Sequence, residues 1–283
     1  MKLSSLRKAF FDSLSGWYPE EEIGSFFYLL LEEYLQLSRM DFALNPEKET
    51  PSEYFGKFEE AIIRLRNHEP IQYVIGHEMF FDLKFFVSPA TLIPRPETED
   101  LVRLVLNEAK EIKKDRISIL DIGTGTGCIA ISIAKNLKNA EVDAMDVSES
   151  ALEIAEKNAK YNEVKINFIE DDVLSVDELF KKYDFIISNP PYVRESEKER
   201  MEKNVLLHEP ETALFVKDED PLVFYRKITS LAKLYLLPHG KLFFEINEYL
   251  GEELVEMIEG FGFPKVKLIE DLYGKNRFIE AEI

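Results

Sequence analysis

The sequence predicts an α/β fold, a doubly wound and mainly parallel sheet, preceded by a small helical domain and a β-hairpin. Three observations carry this. From residue 117 onward, apolar strand runs alternate with helical patterns, at 117–122, 141–146, 165–169, 183–188, 240–246, 265–269 and 276–282. Such alternation closes as a parallel sheet with right-handed crossovers. Residues 1 to about 75 instead keep apolar residues at helical spacing. Between the two, Gly76 to Val87 sets aromatic and aliphatic residues around Asp82-Leu83-Lys84, a hairpin pattern, and Pro89, Pro94 and Pro96 mark the way out of it. The bounds that follow are 1–75, 76–93 and 94–283.

In the first segment Leu3, Leu6, Phe10 and Leu14 share one helical face. Pro19 opens a second helix, whose Ile23, Phe26, Phe27, Leu30, Leu31 and Tyr34 make a wide apolar face. Thr50-Pro-Ser-Glu53 reads as a capping box with Pro in the first turn, opening a helix that carries Phe55, Phe58, Ile62 and Leu65. These faces read as bundle core, and the exposed remainder is left to grip a partner protein. Thr98 and Glu99 begin a later helix with Leu101, Val102, Leu104 and Val105 inward, placing Arg95 to Glu99 near the mouth of a ligand site.

That site is written at the strand ends. Ile117–Ile122 runs into a Gly-rich turn and a helix, with Asp121, Gly123, Thr124, Gly125, Thr126 and Gly127 in succession. The three glycines let the backbone turn tightly and remove side chains where a ligand must lie against the main chain. The second strand ends in Asp146, an acid placed to accept hydrogen bonds from both ribose hydroxyls of an adenosine-containing cofactor, or to cap the helix starting near Ser148. After the third strand, Asp172 and Val173 stand where a carboxylate can meet an adenine amino group. A dinucleotide fold would place its third glycine at Cys128, so G-x-G-x-G with no pyrophosphate site points to S-adenosylmethionine instead.

The fourth strand, Tyr183–Ser188, closes on Asn189-Pro190-Pro191-Tyr192. Proline fixes φ and donates no N–H, so the corner is stiff and its carbonyls stay free of any ladder. The Asn189 side-chain oxygen and the Pro190 carbonyl can then accept both hydrogens of one planar amide or amine nitrogen, with Pro191 and the Tyr192 ring beside it. Those acceptors hold the nitrogen in line for methyl transfer and favour the positive charge that grows on it. Asn189, Pro190 and Tyr192 are the expected catalytic set, and Asn189 also borders the cofactor.

Charge and composition bound the partner. The net charge is −19, of which residues 1–75, with 8 basic and 13 acidic side chains, carry −5. A duplex reader draws most of its affinity from phosphate contacts, so direct nucleic-acid binding is disfavoured and a protein substrate fits better. One cysteine, Cys128, excludes an internal disulfide or a thiolate cluster, and His68, His77, His208 and His239 lack metal spacing. Its expected place is packed behind the glycine turn. No apolar run approaches a membrane span, and Met1-Lys-Leu-Ser-Ser lacks a signal-peptide apolar region. The expectation is a metal-free, cytoplasmic monomer acting on a protein.

The chain resembles the HemK/PrmC family, the protein-(glutamine-N5) methyltransferases of class 1 peptide chain release factors. The resemblance rests on Glu69–Gly76, Phe80 and Phe81, Leu92–Glu99, Asp121–Gly127, Asn189–Tyr192, Glu209–Leu214 and Asp271–Arg277, in family order. Asn-Pro-Pro-Tyr is shared with adenine-N6 DNA methyltransferases, whereas Ile-Pro-Arg-Pro and Glu-Pro-x-x-Ala-Leu separate this family from them. The resemblance implies a Rossmann-like class I methyltransferase sheet with a late antiparallel strand, S-adenosylmethionine as cofactor, and a glutamine in the release factor GGQ loop as substrate. Glutamine methylation of a ribosomal protein, adenine-N6 methylation of nucleic acid and a non-enzymatic scaffold are the alternatives. Departures fall at Asn247 and Leu250, where Gly and Gln are expected, at Val216–Pro221 in place of a Gly-rich segment, and at Asn276 where Asp is common.

Overall fold

The computed structural model describes all 283 residues and divides into two compact units. One is Met1–Gly76 with Glu202–His208, the other His77–Met201 with Glu209–Ile283. The first holds α1 (Leu3–Leu14), α2 (Glu20–Leu35), α3 (Arg39–Leu44), α4 (Phe55–Arg66) and α5 (Ile71–Ile75). Phe10, Phe27 and Phe58 centre its core, with ring centroids 5.7 to 6.3 Å apart. The capping box expected at Thr50–Glu53 does not form. The Thr50 N–H donates to the Met1 carbonyl at 2.8 Å and the residue is buried, so a 3-10 turn, Ser52–Tyr54, intervenes before α4. The chain builds its capping box at Ser38 and Asp41, opening α3.

The second unit begins with a hairpin, β1 (His77–Phe80) and β2 (Leu83–Phe86). Phe81 and Asp82 join them at φ of 51° and 59°, as a two-residue type I′ turn requires. The left-handed Phe81 is held by its N–H, which donates to Glu99 Oε1 at 2.9 Å. Phe80 and Phe85 are buried against α6 (Thr98–Glu111) and the sheet. Then follow β3 (Ile117–Ile122), α7 (Cys128–Asn136), β4 (Ala140–Asp146), α8 (Glu149–Tyr161), β5 (Asn167–Glu170), β6 (Tyr183–Ser188) and β7 (Val193–Arg194). After α9 (Lys203–His208), which belongs to the first unit, come α10 (Glu211–Leu214), β8 (Phe215–Val216), α11 (Val223–Tyr235), β9 (Leu236–Glu245), α12 (Gly251–Gly260), β10 (Lys265–Glu270) and β11 (Asn276–Glu282).

Seven strands form one sheet in the order β10-β11-β9-β6-β3-β4-β5. All pairs from β9 to β5 are parallel, and β11 alone runs against its two neighbours. The order reverses between β3 and β6, and in open α/β sheets ligands bind at such a switch, beyond the carboxyl ends of the strands. Every residue of β6 is buried, as a central strand covered on both faces must be. One apolar layer packs α11 and α12 on the sheet, the other α6 and α7. The charged stretch Arg194–Lys203 contains a 3-10 helix, Glu195–Arg200. Glu197 accepts from the Arg194 N–H at 3.0 Å and Ser196 Oγ donates to Asp218 at 2.9 Å. No helix is long and apolar enough to cross a membrane.

Candidate active site

A cavity of about 370 Å³ opens at the carboxyl ends of β3, β4, β5 and β6. Of the residues expected from the sequence, Gly123, Gly125, Asp146, Asp172, Val173, Asn189, Pro190 and Pro191 line it. The glycine turn is stitched to β4: the Gly123 and Thr124 N–H groups donate to the Met145 carbonyl at 2.8 and 3.0 Å, and Gly125 N–H to Asp146 Oδ2 at 2.8 Å. Gly123 and Gly125 sit at φ of 76° and 55°, and a Cβ on either would meet no protein atom within 4 Å. Gly127 differs from the expectation. It does not line the cavity, and a Cβ there would lie 2.8 Å from Ile131 Cδ1 and 3.2 Å from Ala155 Cβ. Its missing side chain lets α7 pack on α8.

Asp146 does not cap α8. Ser148 does, accepting from Ala151 N–H at 3.2 Å, while Asp146 Oδ1 accepts from Ser148 N–H at 3.0 Å. Each Asp146 oxygen keeps a lone pair for a further donor. Asp121, Thr124 and Thr126 are buried beneath the turn rather than on the cavity wall. Thr124 Oγ1 donates to Asp121 Oδ2 at 2.7 Å, and the Ala130 N–H also faces this buried carboxyl. Cys128 is a buried free thiol, pushed up to about 12 by burial.

Burial also pushes the Asp121 carboxyl up, from 3.8 to about 7, against the lowering effect of the Thr124 bond. The folded chain therefore keeps a proton that the unfolded chain releases over that window, and stability from this group is lost as pH rises through it. Asp121→Asn, which cannot ionise, is expected to gain stability over the native chain as pH rises from about 4 to about 7, with a constant difference above. Denaturant midpoints at a series of pH values check this, and a flat difference throughout would return Asp121 to the ordinary carboxylate range.

Tyr192 is also not on the cavity wall. Its ring packs on the core, and its hydroxyl lies 3.3 Å from Glu245 Oε1, as a donor. Glu245 closes β9, is 1% exposed, and accepts from Thr98 Oγ1 at 2.7 Å. Burial raises its pKa, opposed by the Thr98 bond, the Arg277 charge and the Tyr192 hydroxyl. Asn247, a departure from the family pattern, donates to the Tyr192 carbonyl at 3.4 Å and so braces the corner.

Four residues brace the site through contacts that the sequence does not show, although Thr98 and Glu209 lie in segments it singles out. Thr98 and Glu245 are two. Asn158, fully buried on α8, accepts from Phe86 N–H at 2.7 Å and donates to the Phe86 and Thr126 carbonyls at 3.0 and 2.9 Å, tying hairpin to glycine turn. Glu209 joins two family segments, accepting from Arg95 Nη2 at 2.6 Å and from Ile93 N–H at 3.2 Å. A buried Asn or Glu at a strand or helix position gives a signal only when no solvated reading fits, and a single sequence does not supply burial.

The chemistry of the lining separates the two cofactor classes. Asp146, Asp171 and Asp172 face the cavity, and no lysine or arginine does. A pyrophosphate would meet three carboxylates and no cation, whereas a sulfonium-bearing adenosine is complemented in charge. The sheet order, the glycine turn and this acidic cleft define an S-adenosylmethionine-dependent methyltransferase of the Rossmann-like class.

Comparison with known proteins narrows the class. Residues 102–270 match the methyltransferase small domain family and residues 17–76 the PrmC N-terminal domain. The release factor glutamine methyltransferase of Flavobacterium psychrophilum is 48% identical over 282 residues, covering 99% of each chain. That of Bacteroides thetaiotaomicron is 45% identical, over 95% of this chain and 96% of its own. Among solved structures, the T. thermophilus 16S rRNA N2 G1207 methyltransferase, in complex with AdoMet and guanosine, superposes with a TM-score of 0.52 at 16% identity, over 73% of this chain and 49% of that one, a likeness of fold. The chain belongs to the release factor glutamine methyltransferase family.

Proposed function

We propose that this chain transfers a methyl group from S-adenosylmethionine to the side-chain amide nitrogen of a glutamine in a peptide chain release factor. The observation that carries the reading is the corner at the end of β6. Asn189 and Pro190 border the same cavity as Gly123, Gly125 and Asp146, so an amide held at the corner faces a donor lying on the glycine turn. When bound, S-adenosylmethionine supplies an electrophilic methyl group. The residues of the chain supply position.

An amide nitrogen is a weak nucleophile because its lone pair is delocalised into the carbonyl. A base strong enough to deprotonate it is absent from the corner, whose cavity-lining residues Asn189, Pro190 and Pro191 offer only an amide and peptide groups. Asn189 Oδ1 and the Pro190 carbonyl accept the two N–H hydrogens, aim the nitrogen at the methyl group and stabilise the charge that develops there. The nitrogen becomes strongly acidic on methylation, so it needs no protein base and passes its extra proton last to solvent. Tyr192, tied to Glu245, stiffens the corner from behind. Asp146 accepts the ribose hydroxyls, and Asp172 with Val173 borders the adenine. The helical unit is assigned to recognition of the partner protein.

Asp146→Ala is expected to weaken cofactor binding by about one to two orders of magnitude, since charge-assisted hydrogen bonds contribute about 1.5–3 kcal/mol. Calorimetric titration measures this, and an unchanged affinity removes the ribose assignment. The function itself is tested with labelled cofactor and purified release factor, ribosomal proteins and DNA offered in parallel. Fragment mass spectrometry should locate the methyl group on a release factor glutamine. Label on the other two substrates alone would overturn the reading.

A further inference from the structure

We propose that Thr98 and Glu245 form a relay that fixes which end of the Asn189 carboxamide faces the cavity. The inference rests on the reading of Asn189 as an acceptor, and explains how an asparagine, which has both a donor and an acceptor end, is kept in the useful orientation.

Glu245 as a carboxylate is an acceptor on both oxygens. Thr98, the first residue of α6 and 3% exposed, donates its only hydroxyl hydrogen to Glu245 Oε2 at 2.7 Å. Only lone pairs remain on Thr98 Oγ1. Asn189 Nδ2 lies 3.4 Å from that oxygen, a long contact that its N–H fills. A flipped Asn189 would set Oδ1 against Oγ1, two acceptors with no hydrogen between them, and would turn N–H donors toward the substrate amide. The direction of donation is therefore set at Glu245 and passed along one hydroxyl.

Tyr192 donates to the other Glu245 oxygen at 3.3 Å, and these two donors with the Arg277 charge favour the carboxylate against burial, which pushes Glu245 toward the neutral acid. Tyr225 donates to the Glu245 carbonyl at 3.0 Å, fixing the backbone at the end of β9. Glu245, Thr98 and Asn189 come from three different elements, β9, α6 and the end of β6, so the relay exists only in the folded sheet. Thr98 and Glu245 do not line the cavity. They are positioning residues, acting through Asn189.

The test is a double-mutant cycle on turnover with full-length chain and release factor at saturating cofactor. Thr98→Val, which keeps the shape and loses the hydroxyl, is expected to lower kcat by roughly tenfold or more, with cofactor affinity unchanged. Thr98→Ser should restore kcat to within about threefold of native. In an Asn189→Ala background Thr98→Val should cost less than about twofold, because nothing remains to be oriented. Equal losses in both backgrounds, or no loss in the native one, overturn the relay while leaving Asn189 catalytic. Near-normal turnover of Asn189→Ala alone overturns both. Should Thr98→Val fail to fold, Thr98→Ala takes its place with the same expectations.

Discussion

Asn189→Ala is expected to lower kcat by about two to three orders of magnitude, the loss typical of removing one preorganised group aimed at developing charge. Cofactor affinity should change far less, because Gly123, Gly125, Asp146 and Asp172 stay in place on the other strand ends. The two proposed acceptors at the corner would not be equivalent. The Pro190 carbonyl is held by the backbone, whereas the orientation of Asn189 Oδ1 depends on what its amide nitrogen touches, Thr98 Oγ1 at 3.4 Å. Asn189→Asp keeps an oxygen at that place but sets it against the Thr98 lone pairs, so it should recover only part of the activity. Single-turnover rates at saturating cofactor separate this loss from a change in product release. An Asn189→Ala chain that turned over near the native rate would remove positioning by the corner as the source of catalysis.

Glu209→Ala is expected to destabilise the chain by about 3 kcal/mol, measured as a shift in denaturant midpoint at unchanged slope. The Glu209 side chain is 1% exposed and pairs with an Arg95 that is 33% exposed, so the loss is smaller than for a pair buried on both sides. The larger part comes from the Ile93 N–H, left buried without an acceptor. Pro210, Thr212 and Ala213 follow Glu209 directly onto the cavity wall, so the same change should also loosen the rim and raise KM. Glu209→Gln, which can still accept from Ile93, should recover part of the stability. A variant as stable as the native chain would mean that the two family segments are held together by other contacts.

The fold was legible because its signals are local. Alternating apolar strands placed β3, β4, β6 and β11 within a residue of their observed bounds. The short β5 was extended too far upstream, since Lys165 and Ile166 precede its pairing with β4. The Thr50 capping box was misread because a long-range bond to Met1 outcompeted a local cap. At the site, eight of the residues that motif spacing singled out line the cavity. The contacts that brace them were not legible. Thr98, Asn158 and Glu245 owe their roles to partners 91, 72 and 147 residues away in sequence. Gly127 and Tyr192 carry family motifs yet face inward, because a motif marks a turn without saying which of its residues packs and which points out.

The most direct measurement is a structure of the chain with the demethylated cofactor and a release factor whose target glutamine is unmodified. The glutamine amide nitrogen should lie between Asn189 Oδ1 and the Pro190 carbonyl, within hydrogen-bond distance of both. A carboxamide seated away from that corner, or an adenosine lying off the glycine turn, would contradict the assignment.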